Sequence, residues 1–199
     1  MTLINFAPAA ERNGRVILEQ LQSLLQPDSR VLELGSGSGQ HALLFSQYLK
    51  TVRWFPSETS EAFSALACNL KRHTEGLIEQ PLIIDVGERS WPLEYRVDAI
   101  FTANTLHIIS WDKVEALFKG SGLYLLSGGL LITYGPFRYQ GEFTSESNAQ
   151  FDTWLKQRDK KSGIRDISEL AEVAEKAGLK LLQDIAMPAN NQLLVWQKL

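Results

Sequence analysis

One cysteine, Cys68, in 199 residues excludes an internal disulfide and any metal centre built on several thiolates. No metal is therefore expected, and a reducing, cytoplasmic setting is. Positive charge is not in excess either. Twenty Lys and Arg against 23 Asp and Glu leave a net charge of -3, so the chain has no broad basic face to drive non-specific nucleic-acid binding. No apolar run approaches the roughly 20 residues that cross a bilayer, and Met1 to Ala10 has no basic start followed by a long apolar stretch, so it does not read as a secretory signal. Repeats, low-complexity tracts and Pro/Gly/Ser-rich linkers are also missing, which predicts one domain over residues 1–199.

What is present is 44% hydrophobic residues arranged as short apolar runs that alternate with amphipathic stretches. Val16, Ile17, Leu18, Leu21, Leu24 and Leu25 recur at helical spacing and predict a helix over about Ala10 to Gln26. Strands are predicted at Arg30–Leu34, Val52–Phe55, Leu82–Val86, Val97–Thr102 and Leu130–Tyr134, with helices between them at His41–Lys50, Glu61–Arg72 and Trp111–Leu126. Two further helices follow at Asn148–Arg158 and Asp166–Ala177, the latter opening on Asp166 with Glu169 three residues on, as in a capping box. Strands at Leu179–Met187 and Gln192–Gln197 flank the turn formers Pro188-Ala-Asn-Asn191, so the chain closes on a β-hairpin. The expected fold is α/β and Rossmann-like, a seven-stranded mostly parallel sheet with a C-terminal antiparallel hairpin and helices on both faces.

The first strand runs into Gly35-Ser-Gly-Ser-Gly39 and then a helix. Gly35, Gly37 and Gly39 let the backbone turn sharply and approach a ligand where a helix N-terminus presents free N–H groups. A dinucleotide fingerprint needs Gly or Ala at the sixth position of its motif; Gln40 stands there, which disfavours NAD or FAD. Glu33 lies inside the strand just before the glycines, where an unpaired carboxylate is expensive to bury, so a cationic or hydrogen-bonding group should face it. The methionyl ammonium of S-adenosylmethionine, directly or through water, fits; a structural carboxylate is the alternative. Glu58, about twenty residues past the loop at the end of the second strand, can accept from both ribose hydroxyls, or cap the following helix. Asp85 ends the third strand and can accept from an adenine amino group, or serve as a turn residue. Asn104 and His107, after the fourth strand, and Tyr134, at the end of the fifth, fall on the carboxyl edge of the sheet, where ligands of open α/β sheets lie. His107 is a candidate general base or a structural histidine. Thr144–Asn148 can line an acceptor pocket or simply cap a helix at Ser145 or Ser147, and Asn190 and Asn191 suit a hairpin turn without further purpose.

The segments Pro8-Ala-Ala-Glu-Arg-Asn13, Leu34-Gly-Ser-Gly-Ser-Gly-Gln-His41, His107-Ile-Ile-Ser-Trp111, Tyr134-Gly-Pro-Phe137, Thr144-Ser-Glu-Ser-Asn148, Gly163-Ile-Arg-Asp166 and Met187-Pro-Ala-Asn-Asn191 together resemble the methyltransferase-like family known as domain of unknown function 938, related to methyltransferase-like protein 26. The resemblance implies a class I methyltransferase fold and S-adenosylmethionine binding, and it implies no acceptor. Glu58 stands where relatives are expected to carry Asp, and Ser36 where Ala is common. Glu11-Arg12-Asn13 is expected to precede the first helix, where Arg12 or Asn13 can touch the methionyl carboxylate or the acceptor, or cap the helix. The resulting assignment gives the cofactor to Glu33, Gly35, Gly37, Gly39, Glu58, Asp85, Asn104, Arg12 and Asn13, and the transfer region to His107, Asn104 and Tyr134. Methyl transfer to a small molecule is the expected activity, with S-adenosylhomocysteine as product. A protein acceptor, a non-catalytic S-adenosylmethionine binder and an NAD-dependent oxidoreductase are the alternatives. Oligomeric state is not set by the sequence.

Overall fold

The computed structural model describes residues 3–71 and 77–199. Helix α1 (Pro8–Leu24) opens with proline in its first turn, where the missing N–H costs nothing and the fixed φ suits the helix. Glu11-Arg12-Asn13 therefore lies inside α1 and not before it. There follow β1 (Arg30–Leu34), α2 (Gln40–Tyr48), β2 (Arg53–Glu58), α3 (Ser60–Leu70), β3 (Leu82–Ile83), β4 (Val97–Ala103), α4 (Trp111–Tyr124) and β5 (Leu125–Gly135). Arg72, the expected last residue of the third helix, lies outside the described residues. After β6 (Phe137–Tyr139), β7 (Glu142–Phe143), α5 (Glu146–Arg158), β8 (Arg165–Asp166) and α6 (Ile167–Lys176), the chain closes on β9 (Leu179–Met187) and β10 (Asn191–Lys198).

The main sheet has the order β3-β2-β1-β4-β5-β10-β9. Its first five strands run parallel and β10 pairs antiparallel with both β5 and β9, as the sequence predicts. Because side chains alternate across a strand, β1 sends Leu32 and Leu34 into a layer with α4 and α6, and Val31 into a layer with α1, α2 and α3. Glu33 shares the face of Val31, so this carboxylate enters the second layer among Trp54 and Phe101. The order reverses between β1 and β4. Ligands of open parallel sheets bind at such a switch point, beyond the carboxyl ends of the strands.

Three departures from expectation have local causes. β3 keeps two of its five expected residues, as suits a short edge strand. The Ser127-Gly-Gly129 break does not separate helix from strand. β5 starts at Leu125, and a bulge at its glycines moves the pairing from Val97↔Leu125 to Ala99↔Leu130, with Gly128 at φ 78°. The small sheet β7-β6-β8 was not foreseen, although Gln140 (φ 51°) and Gly141 (φ 87°) form the two-residue positive-φ turn of a hairpin. The β9–β10 turn also carries positive φ, at Ala189 (58°) and Asn190 (57°). Asn tolerates this region and Ala does not. Ala189→Gly is therefore expected to raise stability by about 0.5–1 kcal/mol in urea unfolding, relief of the strained turn exceeding the added entropy of the unfolded chain.

Candidate functional site

The carboxyl ends of β1, β2, β4 and β5 converge on the switch point. At β1 the chain leaves through Gly35 (φ 71°), Gly37 (φ 56°) and Gly39 (φ 80°), all left-handed. A Cβ on Gly35 would stand 3.0 Å from Thr105 Oγ1, and one on Gly39 3.0 Å from Leu66, so these two glycines also allow close packing. A Cβ on Gly37 would meet nothing within 4 Å; the backbone there faces open space. The loop is pinned from below by the Thr102 hydroxyl, which donates to Leu34 O at 2.9 Å, and from the side by Ser36 N donating to Ser57 O at 2.9 Å.

Glu58 closes this corner. Its Oε2 accepts from Gly37 N at 2.7 Å and its Oε1 from Thr59 N at 2.9 Å, so the carboxylate at the end of β2 is held against the exposed glycine. Asp85 lies beyond the two residues of β3, in a turn. Its Oδ1 accepts from Gly87 N and its Oδ2 from Lys113 Nζ, at 2.9 and 2.8 Å; the lysine, followed by the Gly87 bond, holds its pKa below the usual carboxylate range. The turn role given as its alternative is therefore present, joined by an ion pair to α4.

Glu33 is 2% exposed. The group that faces it is a protein donor: Trp54 Nε1 donates to Oε2 at 2.8 Å. Burial, partly opposed by that bond and one from Ser36, pushes its carboxyl up to about 7. His41 Nδ1 stands 3.9 Å from Oε1. The other ring nitrogen, Nε2, lies 2.8 Å from Asn13 Oδ1, a donor–acceptor pair in the Nε2-protonated tautomer. Asn13 also reaches the Tyr134 hydroxyl. Trp54, Glu33, His41 and Asn13 thus form a buried polar cluster under the glycine loop, made of two hydrogen-bonded pairs that meet at 3.9 Å between Glu33 and His41.

Asn13 and Tyr134 open onto a cleft of about 440 Å³. Arg12, Asn104, Asn148 and Asn191 bring further polar groups, and Val16, Pro136, Phe151 and Pro188 supply apolar wall. Asn104 sits at φ 56°, the left-handed region that Asn tolerates, and its N–H donates to Tyr134 O at 2.8 Å. Arg12, Asn13, Asn104 and Tyr134 are thus brought together; Gly35, Gly37, Glu58 and Asp85 lie off the cleft. His107 is not brought in. It is 5% exposed, its ring packs at 5.3 Å on Phe151, and burial holds its pKa down to about 4. Its structural alternative is what this environment matches.

Sequence reasoning passed over Trp54 and His41, although a buried acid in a strand calls for a donor on the neighbouring strand or helix. For Thr144–Asn148 the alternatives were an acceptor pocket or a cap at Ser145 or Ser147: Ser145 is the cap, its Oγ accepting from Asn148 N at 3.2 Å, while Asn148 lines the cleft and its Nδ2 donates to Asn190 O in the hairpin turn at 2.9 Å. Phe151, one helical turn on from Asn148, carried no signal of its own.

The family model described as "Protein of unknown function (DUF938)" matches residues 4–198. The chain belongs to this family. Among solved structures, mitomycin 7-O-methyltransferase superposes at TM-score 0.81 with 15% identity, over 96% of this chain and 54% of that one. Human N-acetylserotonin methyltransferase in complex with SAM gives 0.78 and 16%, over 96% and 52%. An O-methyltransferase family protein from Burkholderia thailandensis gives 0.74 and 14%, over 96% and 59%. The DUF938 chain thus spans little more than half the length of these proteins and shares a Rossmann-like fold with the part it covers. Among its described residues no helix is long and apolar enough to cross a membrane, and no three His, Cys, Asp or Glu side chains converge as metal ligands.

The buried Glu33 makes a pH prediction. A carboxyl with pKa raised from 4.5 to about 7 binds more protons folded than unfolded, so its contribution to stability falls as pH rises through that window. Glu33→Gln keeps an acceptor for Trp54 and carries no charge. Its stability relative to the parent, from urea midpoints at successive pH values, is expected to rise by on the order of 3 kcal/mol between pH 4.5 and 7 and then level off. A difference that stays constant with pH would show Glu33 ionising normally.

Proposed function

We propose that the chain is one S-adenosylmethionine-binding domain that transfers methyl groups to a small-molecule acceptor. The observation that carries this is Glu58: a carboxylate at the end of β2, held 2.7 Å from the N–H of a glycine whose outward side is open. A pyrophosphate brought to this corner would meet that negative charge, whereas a ribose can donate both hydroxyls to it. The glycine loop then takes the methionyl end, with Glu33 beneath it, and the far side of the Asp85 turn takes the adenine. S-adenosylmethionine, when bound, supplies a methyl group on a sulfonium, an electrophile that a positioned nucleophile displaces in line.

The chain's own contribution is placement. Asn104 and Tyr134 border both the switch point and the cleft, so an acceptor in the cleft is held against the sulfonium end of a cosubstrate in the loop, and such positioning supplies a large part of the rate of a two-substrate reaction. The solved relatives support a small acceptor: their names specify mitomycin and N-acetylserotonin. Binding without turnover is the rival reading, favoured by a cleft lining that does not include His107, and transfer of a labelled methyl group distinguishes the two.

Calorimetric titration with S-adenosylmethionine, S-adenosylhomocysteine and NAD tests the proposal. Both adenosyl compounds are expected to bind saturably and NAD not to. Glu58→Ala is expected to weaken binding by about tenfold or more, the loss of a charge-assisted pair of hydrogen bonds. NAD binding more tightly than S-adenosylmethionine would overturn the proposal.

A further inference from the structure

The cleft is notable for the protons it cannot take. Its polar lining is made of amides, the Tyr134 phenol and Arg12; no carboxylate and no histidine lines it. Amides neither accept nor release protons near neutral pH. Burial raises the Tyr134 pKa, so the phenol stays protonated and acts as a hydrogen-bond donor. His107 and His41 are 5% and 7% exposed and packed against Phe151 and Phe45. Both are held down to about 4 by burial. Arg12 is exposed, and among the described residues it forms no ion pair.

A neutral alcohol or an ammonium must give up a proton to be methylated, and an enzyme serving such acceptors places a base beside them. A guanidinium without an ion pair, in a cleft whose lining holds no carboxylate, also repels a cationic amine and attracts an anion. Resting on the methyltransferase reading above, we propose that the acceptor is a small organic acid that enters as an anion, is held by Arg12, and is methylated on its ionised oxygen or sulfur without a protein base. The sulfonium S–CH3 bond breaks with its electron pair left on sulfur, while a lone pair of the ionised atom forms the new bond to the methyl carbon. One positive and one negative charge are cancelled, and no proton changes hands. Asn104 and Tyr134 donate hydrogen bonds that orient the anion.

The test uses the full chain and three probes of matched size, phenylacetate, phenylacetamide and phenethylamine. Each is titrated by ligand-observed NMR into the protein alone and into protein saturated with S-adenosylhomocysteine. Phenylacetate is expected to bind about tenfold or more tightly than either neutral or cationic partner. Arg12→Ala should remove that preference and Arg12→Lys retain most of it, with S-adenosylhomocysteine affinity unchanged within about twofold in both. In a second arm, tritiated methyl transfer is offered a pool of carboxylic, phenolic and thiol acids and a pool of amines and alcohols; label is expected in the acids. Phenethylamine binding as tightly as phenylacetate, failure of phenylacetate to bind, or label in the amine and alcohol pool would overturn the proposal. So would an Arg12→Ala variant that weakens S-adenosylhomocysteine as much as phenylacetate, since Arg12 would then serve the methionyl carboxylate; in that case the methyltransferase reading stands. Arg12-dependent phenylacetate binding with no S-adenosylhomocysteine binding would instead retain the anion subsite and sink the methyltransferase reading.

Discussion

Three glycines in the left-handed region within five residues decide how the chain leaves β1. Gly35, Gly37 and Gly39 fold the strand end back so that α2 starts directly above the sheet, and the loop is then tied on three sides by Thr102, Ser57 and Glu58. Two of the ties come from the end of β2 and one from the end of β4. The geometry of the switch point, the exposure of Gly37 and the placement of Glu58 all follow from that single turn, and any side chain at Gly35 or Gly39 would crowd Thr105 or Leu66. Because the ties are bonds to backbone groups, they hold the loop's shape with no ligand contribution, as suits a preorganised site.

α1 is bound to the same loop by amide side chains. Gln40 exchanges two hydrogen bonds with the backbone of Ala7, and Asn69 does the same with Ile4 while also donating to Ser38 O. These pairs imitate strand pairing and dock the start of α1 onto the loop, which puts Arg12 and Asn13 on the wall of the cleft. The buried cluster of Glu33, His41 and Asn13 joins the same elements, β1, α2 and α1. The Glu58 corner and the Arg12–Tyr134 cleft therefore share one structural support, the docked start of α1.

The parallel sheet and its hairpin were legible in the sequence because strongly apolar runs such as Leu130–Tyr134, broken by Gly, Asp and Pro, carry a period that solvent exposure cannot hide. The sharp turn of the loop and the place of Glu58 at a strand end were legible because closely spaced glycines mark positive φ and a strand ends where its apolar run does. Glu33 was half legible. Its burial cost was visible, but the donor that meets it, Trp54, is twenty-one residues away and is brought there by the β1–β2 register. For His107 the visible and hidden parts are reversed. Its place after β4 was visible, while its burial against Phe151 is a contact between segments far apart in sequence. The β6–β7–β8 sheet escaped because strands of two or three residues carry no periodicity, and helix α1 was placed two residues late because proline in the first turn reads as easily as a breaker.

The central claim, that the glycine loop and Glu58 form an S-adenosyl pocket opening onto the Arg12–Tyr134 cleft, is tested most directly by a crystal structure with S-adenosylhomocysteine. The account predicts the ribose hydroxyls on Glu58, the amino-acid end over Gly35 and Gly37, and the sulfur facing Asn104 and Tyr134. Electron density for the nucleoside away from Glu58, or a sulfur turned from the cleft, would contradict it.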